Sequence, residues 1–74
     1  MTKTTLDVSG LLCPLPVFKA RKKLEAMTTG SELVVLATDP MAEIDMPHFC
    51  NEQGHTLLSQ EKSGDTLTFR IKRK

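Results

Sequence analysis

The sequence lacks tryptophan and tyrosine, and three phenylalanines are its only residues from the Phe, Trp and Tyr group. These are Phe18, Phe49 and Phe69. A sheet that binds RNA by base stacking needs exposed aromatic rings on one face. The shortage of rings therefore argues against an RNA-binding platform of that kind.

Cysteine is also scarce, with Cys13 and Cys50 as the only two. Two cysteines are too few for a disulfide scaffold, and their spacing matches no metal-ligand pattern. We therefore expect free thiols in a reducing compartment and no metal site. No apolar run approaches the length of a membrane span, and the segment 1–5 has no apolar core of a signal peptide. The sequence thus predicts a cytoplasmic protein without membrane contact.

The chain is 74 residues long and carries a formal net charge of only +1, so its overall charge indicates no particular partner. Its composition, 39% hydrophobic and 26% charged, is typical of a soluble globular protein and not of a disordered one. This length predicts a single domain over residues 1–74.

Hydrophobic periodicity predicts six elements in the order strand, helix, strand, helix, strand, strand. Each helix has one apolar face, and the last two strands flank a turn that contains Gly64. We therefore expect an α/β fold of the α+β two-layer type, βαβαββ, with both helices on one face of a four-stranded mixed sheet. The predicted ranges are strand 4–9, helix 14–27, strand 32–38, a helix beginning at residue 45, strand 55–61 and strand 66–72.

The second helix is the least regular of these elements. Asp45 is predicted to cap its N-terminus, Pro47 to fall in its first turn and Gly54 to end it, with residues 41–44 forming a loop or an irregular turn. The basic end of the chain, residues 70–74, is predicted to protect an exposed sheet edge.

Cys13 lies where the first strand pattern stops and the first helical pattern begins, in the segment Cys13-Pro14-Leu15-Pro16. We interpret Cys13 as the N-cap, Pro14 as the first helical residue and Pro16 as part of the first turn. The positive end of the helix dipole would then stabilise the thiolate and lower the pKa of Cys13. The alternative is a small buried hydrophobic residue without chemistry.

Other candidate residues have two interpretations each. The basic residues of the first helix form either an ordinary solvated face or a docking patch for an acidic protein or a phosphate backbone. Phe18 either covers the edge of the core, which is favoured, or anchors a partner. Cys50 is favoured as a buried core thiol over a resolving cysteine, and His48 and His55 receive no catalytic role. The basic residues are Lys19, Arg21, Lys22 and Lys23.

The motifs together resemble those of the TusA/SirA family of small sulfur carriers. The resemblance lies in Cys13-Pro14-Leu15-Pro16, Asp39-Pro40, Asp45-Met46-Pro47 and Phe49-Cys50, and it extends over nearly the whole chain. It implies a βαβαββ fold and a persulfide carrier of the sulfurtransferase type, not a stand-alone enzyme. Cys13 would accept sulfur from a cysteine desulfurase and pass it to a downstream relay protein.

The resemblance also implies that the carrier needs no cofactor of its own, since pyridoxal phosphate belongs to the donor. Its best-known branch supplies sulfur for 2-thiouridine at tRNA wobble positions, with only indirect contact with the tRNA. Other branches serve molybdenum cofactor formation or sulfur oxidation. Two alternatives from other classes stay open, an RNA-binding module and a thiol redox sensor that joins Cys13 to Cys50.

Overall fold

The computed structural model describes residues 3–74, which form two helices and four strands in the predicted order. Residues 1 and 2 belong to the segment 1–5, which was predicted not to be a signal peptide, and they lie outside the described residues. The elements are β1 (Lys3–Asp7), α1 (Leu15–Glu25), β2 (Glu32–Ala37), α2 (Ala42–Gln53), β3 (Thr56–Ser63) and β4 (Thr66–Lys72).

The four strands form one mixed sheet in the order β1-β2-β4-β3. β1 and β2 are parallel, as a strand–helix–strand crossover requires, and the remaining pairs are antiparallel. β4 thus lies inside the sheet between β2 and β3. The prediction that its basic residues protect an edge was wrong, because the edges are β1 and β3.

Alternate residues of β2 and β4 are buried, so one face of the sheet carries the core. Leu67, Phe69 and Ile71 point to this face, as their alternation predicts. Both helices add their apolar faces to the same core, which confirms the two-layer architecture. The buried residues of the cluster are Val8, Ala20, Leu24, Leu33, Val35, Ala37, Ala42, Met46, Phe49, Cys50, Leu67, Phe69 and Ile71.

α1 is shorter than the predicted helix 14–27. It ends at Glu25, and Gly30, in the loop that follows, has the positive φ of 87° that favours glycine. Arg73 Nε donates a hydrogen bond of 2.7 Å to the Leu24 carbonyl, and a cation at this helix end also complements the dipole. Arg73, which follows β4, therefore links the end of α1 to the sheet.

α2 begins three residues before the predicted start, which places Asp45 inside its first turn instead of at the cap. Pro47 consequently lies in the helix interior, where it cannot donate to the carbonyl of Glu43. Gln60 Nε2 on β3 donates to this carbonyl at 3.2 Å, which explains how the proline is accommodated. Gly54 ends the helix in the left-handed conformation, as predicted.

The other sheet face carries a network of ion pairs across β1, β2 and β4. Arg70 Nε and Nη2 donate to the two carboxylate oxygens of Glu32 at 2.8 and 3.1 Å. Lys3 Nζ lies 3.9 Å from the same carboxylate. The hydrogen bonds from Arg70, with the positive charges nearby, lower the pKa of Glu32. Within residues 3–74, no helix has both the length and the apolar character needed to cross a membrane.

Candidate functional site

The Cys13 loop, residues 8–14, follows the carboxyl end of β1 and lies next to the end of β2. The Val8 N–H donates to the Leu36 carbonyl at 2.8 Å, which continues the β1–β2 pairing beyond the strand. Gly10, with φ 83°, then turns the chain, and its N–H donates to Thr38 Oγ1 at 2.8 Å. The loop is thus fixed to the segment that leaves β2.

Asp39 holds the backbone of the loop at Cys13. Its side chain is buried, and Oδ2 accepts a hydrogen bond of 2.6 Å from the Cys13 N–H. The other oxygen, Oδ1, accepts from the Met41 N–H at 3.2 Å, just before α2 begins. One carboxylate therefore joins the thiol loop to the start of the second helix.

Asp45 contacts the sulfur itself. The exposed Cys13 thiol donates a hydrogen bond of 2.9 Å to Asp45 Oδ2. This hydrogen bond is the main cause of the raised pKa of Cys13, and some loss of solvent contact and the charges of Asp45 and Asp39 act in the same direction. The prediction of a lowered pKa was wrong, because the Asp45 carboxylate accepts a hydrogen bond from the thiol and the charge of Asp39 also disfavours its anion.

The N-terminus of α1 provides less stabilisation for an anion than the sequence pattern indicates. The helix begins at Leu15 with Pro14 as N-cap, one position later than predicted, so Cys13 precedes the cap. The Leu15 N–H is bonded to the Leu12 carbonyl at 2.9 Å, and Pro16 has no N–H to offer. The first turn therefore has few donors left for a thiolate.

The two prolines, predicted to support the loop, occupy different environments. Pro14 is exposed beside the thiol, whereas Pro16 is buried in the first turn of α1, where a proline costs no intrahelical hydrogen bond. Cys13 is exposed, so the alternative of a buried hydrophobic residue is excluded.

An open groove of about 480 Å³ begins at Cys13 and runs between α1 and α2. Its walls combine apolar side chains with acidic ones, and His48 Nε2 lies 3.3 Å from Glu52 Oε1 within it. The lining residues are Cys13, Pro14, Val17, Asp45, His48, Phe49, Glu52 and Gln53.

Four large apolar side chains are exposed in the segments that carry Cys13 and Asp45. Leu12 and Leu15 lie in the loop and at the start of α1, and Ile44 precedes Asp45 on α2. Leu12 is 67% and Ile44 66% exposed, and exposed apolar side chains that form a contiguous patch mark interaction sites. We call Leu12, Leu15, Met41 and Ile44 the apolar rim.

The basic residues predicted for docking are exposed on α1 but do not line the thiol groove. Phe18 is 56% exposed, so the prediction that it covers the core edge was wrong. It forms a second groove of about 440 Å³ with Arg21, Lys22 and Glu25. The exposed basic residues are Lys19, Arg21, Lys22 and Lys23.

Cys50 is a buried core thiol, as favoured by its place on the apolar stripe. Burial raises the pKa of this thiol to about 11. Both cysteines are free in the structure. Among residues 3–74, His, Cys, Asp and Glu side chains form no group of three or more that could hold a metal ion.

Comparison with known proteins identifies the family. The model of the family described as sulfurtransferase TusA matches residues 4–73. The chain belongs to the TusA/SirA family of sulfur carrier proteins.

Individual TusA proteins are similar along nearly their whole length. The sulfur carrier protein TusA of Allochromatium vinosum is 43% identical over 68 residues, which cover 92% of this chain and 90% of that protein. The TusA of Pseudomonas entomophila is 41% identical over 70 residues, which cover 95% and 88%. The crystal structure of a SirA-like protein from Desulfitobacterium hafniense superposes with a TM-score of 0.82 at 24% identity, over 93% of this chain and 95% of that one. This last similarity concerns the fold.

The TusA motifs meet in space at the Cys13 loop. Asp39, named from sequence only in the Asp39-Pro40 motif, and Asp45, predicted to cap the second helix, are contact residues of Cys13. Their signal in the sequence was the pair of acidic residues that follow β2, since parallel strands place their carboxyl ends at one edge of a sheet.

Proposed function

We propose that the protein carries sulfane sulfur as a persulfide on Cys13, between a cysteine desulfurase and a downstream relay protein. The observation that carries this proposal is the exposed Cys13 thiol on a loop fixed by Asp39. A thiol that exchanges sulfur with two other proteins needs access from outside more than it needs an enclosed pocket. The carrier is proposed to act in the cytoplasm and to bind no cofactor of its own.

The apolar rim supports transfer between proteins. Exposed Leu12, Leu15, Met41 and Ile44 provide the kind of central apolar contact that protein interfaces use. A partner that covers the rim also excludes water from the sulfur during transfer. We further propose that Phe18 and the basic residues of α1, which lie outside the thiol groove, extend this docking surface.

The first experiment incubates the protein with a cysteine desulfurase and L-cysteine and measures its intact mass. Wild type and Cys50→Ser are expected to gain the mass of one sulfur atom, whereas Cys13→Ser gains none. Peptide mapping then locates the added sulfur on Cys13. Sulfur on Cys13→Ser, or loading that requires Cys50, would overturn the proposal.

We propose tRNA wobble uridine 2-thiolation as the destination of the sulfur, on the basis of the family's best-known branch. Expression in a bacterial strain without its own TusA tests this destination. Restored 2-thiouridine is the expected result. Restored molybdoenzyme activity without 2-thiouridine would assign the molybdenum cofactor branch instead.

Two alternatives from other classes have less support. Phe49 and Phe69 are buried and Phe18 lies on α1, so none of the three places a ring on the open sheet face for RNA stacking. For a redox pair, the exposed Cys13 and the buried Cys50 would have to meet. A loss of two hydrogen atoms on mild oxidation, measured under non-reducing conditions, would favour the redox sensor.

A further inference from the structure

The two carboxylates at the Cys13 loop serve different atoms. Asp39 accepts from backbone N–H groups, including that of Cys13 at 2.6 Å. Asp45 Oδ2 lies 2.9 Å from Sγ and accepts a hydrogen bond from the thiol S–H. Asp39 thus holds the backbone of the loop, whereas Asp45 contacts the sulfur atom itself.

Negative charge dominates the surroundings of the sulfur. α2 contributes Asp45, and farther along the groove His48 and Glu52, which pair with each other at 3.3 Å. α1 contributes Val17 to the groove. Asp39, in the segment after β2, does not line the groove but bonds to the Cys13 N–H. Within the described chain, neither a lysine nor an arginine lines this groove to balance Asp45.

We propose that Asp45 is a positioning residue for sulfur transfer, which holds the proton on the empty Cys13 thiol and disfavours an anionic sulfur there, so that the carrier passes its sulfur on. This inference rests on the proposed carrier function of Cys13. It adds that release of the sulfur is favoured over its retention, because Asp45 interacts differently with the empty and the loaded carrier.

The unloading step shows the difference. The thiolate of an acceptor protein attacks the terminal sulfur of the Cys13 persulfide, and a new sulfur–sulfur bond forms as the bond to Sγ breaks. The electron pair stays on Sγ, which takes up the proton that the acceptor thiol gave up. Sulfur changes hands without an external oxidant or reductant, and the new S–H bonds to Asp45.

The loaded carrier lacks this hydrogen bond. Sγ of a persulfide carries no proton, and its terminal sulfur lies about 2.05 Å farther along the bond. The carboxylate also repels the persulfide anion. Asp45 therefore stabilises the empty thiol relative to the loaded form, which favours release.

The first test is the pH dependence of Cys13 alkylation by iodoacetamide, followed on the Cys13 peptide. Asp45→Asn replaces the carboxylate by an amide that donates to a thiolate, so its profile is expected to move to lower pH. Each unit of that shift raises the thiolate fraction at neutral pH about tenfold, and it raises the rate by a smaller factor because a less basic thiolate is a weaker nucleophile. Glu52→Gln removes the same charge from the same groove without touching Sγ and is expected to leave the profile unchanged.

The second test measures how the carrier shares sulfur with glutathione. Each variant is loaded with polysulfide and equilibrated with glutathione, and the persulfide fraction on Cys13 is read by mass spectrometry. Asp45→Asn and Asp45→Ala are expected to retain more sulfur than wild type and Glu52→Gln. Circular dichroism verifies that each variant is folded.

Coincident alkylation profiles of wild type and Asp45→Asn, or equal retention of sulfur, would overturn the role of Asp45. Loading by the desulfurase is a separate result. Normal loading with coincident profiles removes only the role of Asp45, whereas a shifted profile without any loading removes the carrier function.

Discussion

The two cysteines differ because their surroundings differ, although both have a raised pKa. For Cys13 the first cause is the hydrogen bond to Asp45, and for Cys50 it is burial. The sequence correctly predicted that Cys50 is buried, since a cysteine on the apolar face of a helix is usually buried. The sequence placed Cys13 before the first helix but did not predict its electrostatics, because Asp39 and Asp45 lie 26 and 32 positions farther along the chain.

At the residue scale, we predict that Gln60 and Pro47 are energetically coupled. Gln60→Ala removes the donor to the Glu43 carbonyl and is expected to lower the free energy of unfolding by about 0.5–1.5 kcal/mol. In a Pro47→Ala background the restored N–H can take over this carbonyl, so the same change costs less. Urea denaturation of the four proteins measures the coupling.

Glu61→Ala, on the same strand, serves as the control and is expected to show no coupling with Pro47→Ala. Equal costs of Gln60→Ala in both backgrounds would show that Gln60 does not compensate for the proline.

Strands were predicted better than helix ends. The alternation of Leu67, Phe69 and Ile71 predicted β4 with its observed bounds. A strand alternates apolar and polar residues with a period of two, which a segment of seven residues is long enough to show. The start of α2 was misplaced because Asp39, not Asp45, bonds to the N–H that precedes this helix. The order of the strands in the sheet could not be predicted from the pattern of each strand, because the pattern does not show that β4 pairs with both β2 and β3.

At the element scale, we predict that the exposed face of α1 contributes to docking of the desulfurase. Lys22 lies beside Phe18 in the second groove, and Lys22→Glu is expected to weaken binding about tenfold, mainly through slower association. The difference between the two proteins shrinks at high salt, because exposed charges are screened. Surface plasmon resonance at two ionic strengths measures both effects.

Lys74→Glu makes the same charge change at the end of the chain that follows β4 and provides the matched control. If both variants bind equally, the basic residues of α1 are an ordinary solvated surface.

The whole molecule is a sandwich with one apolar interface and one exposed charged sheet face. Helices on a single side leave the Lys3, Glu32 and Arg70 network at the other surface, where it crosses three strands. The two-layer arrangement followed from the one-sided helices in the sequence, whereas the network depended on register, which pairs Glu32 with Lys3 and Val34 with Arg70.

At this scale, we predict a specific acid sensitivity. The pKa of Glu32 is lowered in the folded protein from its ordinary 4.5, so its contribution to stability is present above that value. The contribution is lost as the pH falls through the folded value. Unfolding in urea between about pH 6 and 3 is expected to show a smaller loss of stability for Glu32→Gln than for wild type.

Asp65→Asn removes a carboxylate from the β3–β4 turn and is the control for general acid effects, since Asp65 makes no ion pair within residues 3–74. If Glu32→Gln follows the wild-type curve, the network contributes nothing to the pH dependence.

The hydrogen bonds that hold the Cys13 loop limit how its sequence can be transferred to another protein. Thr38, Asp39 and Asp45 hold Gly10 and Cys13 from positions far along the chain. A peptide or a foreign scaffold that carries only Gly10-Leu11-Leu12-Cys13-Pro14-Leu15-Pro16 would display an ordinary thiol. A designer who wants this sulfur chemistry must graft the connection between β2 and α2 together with the cysteine.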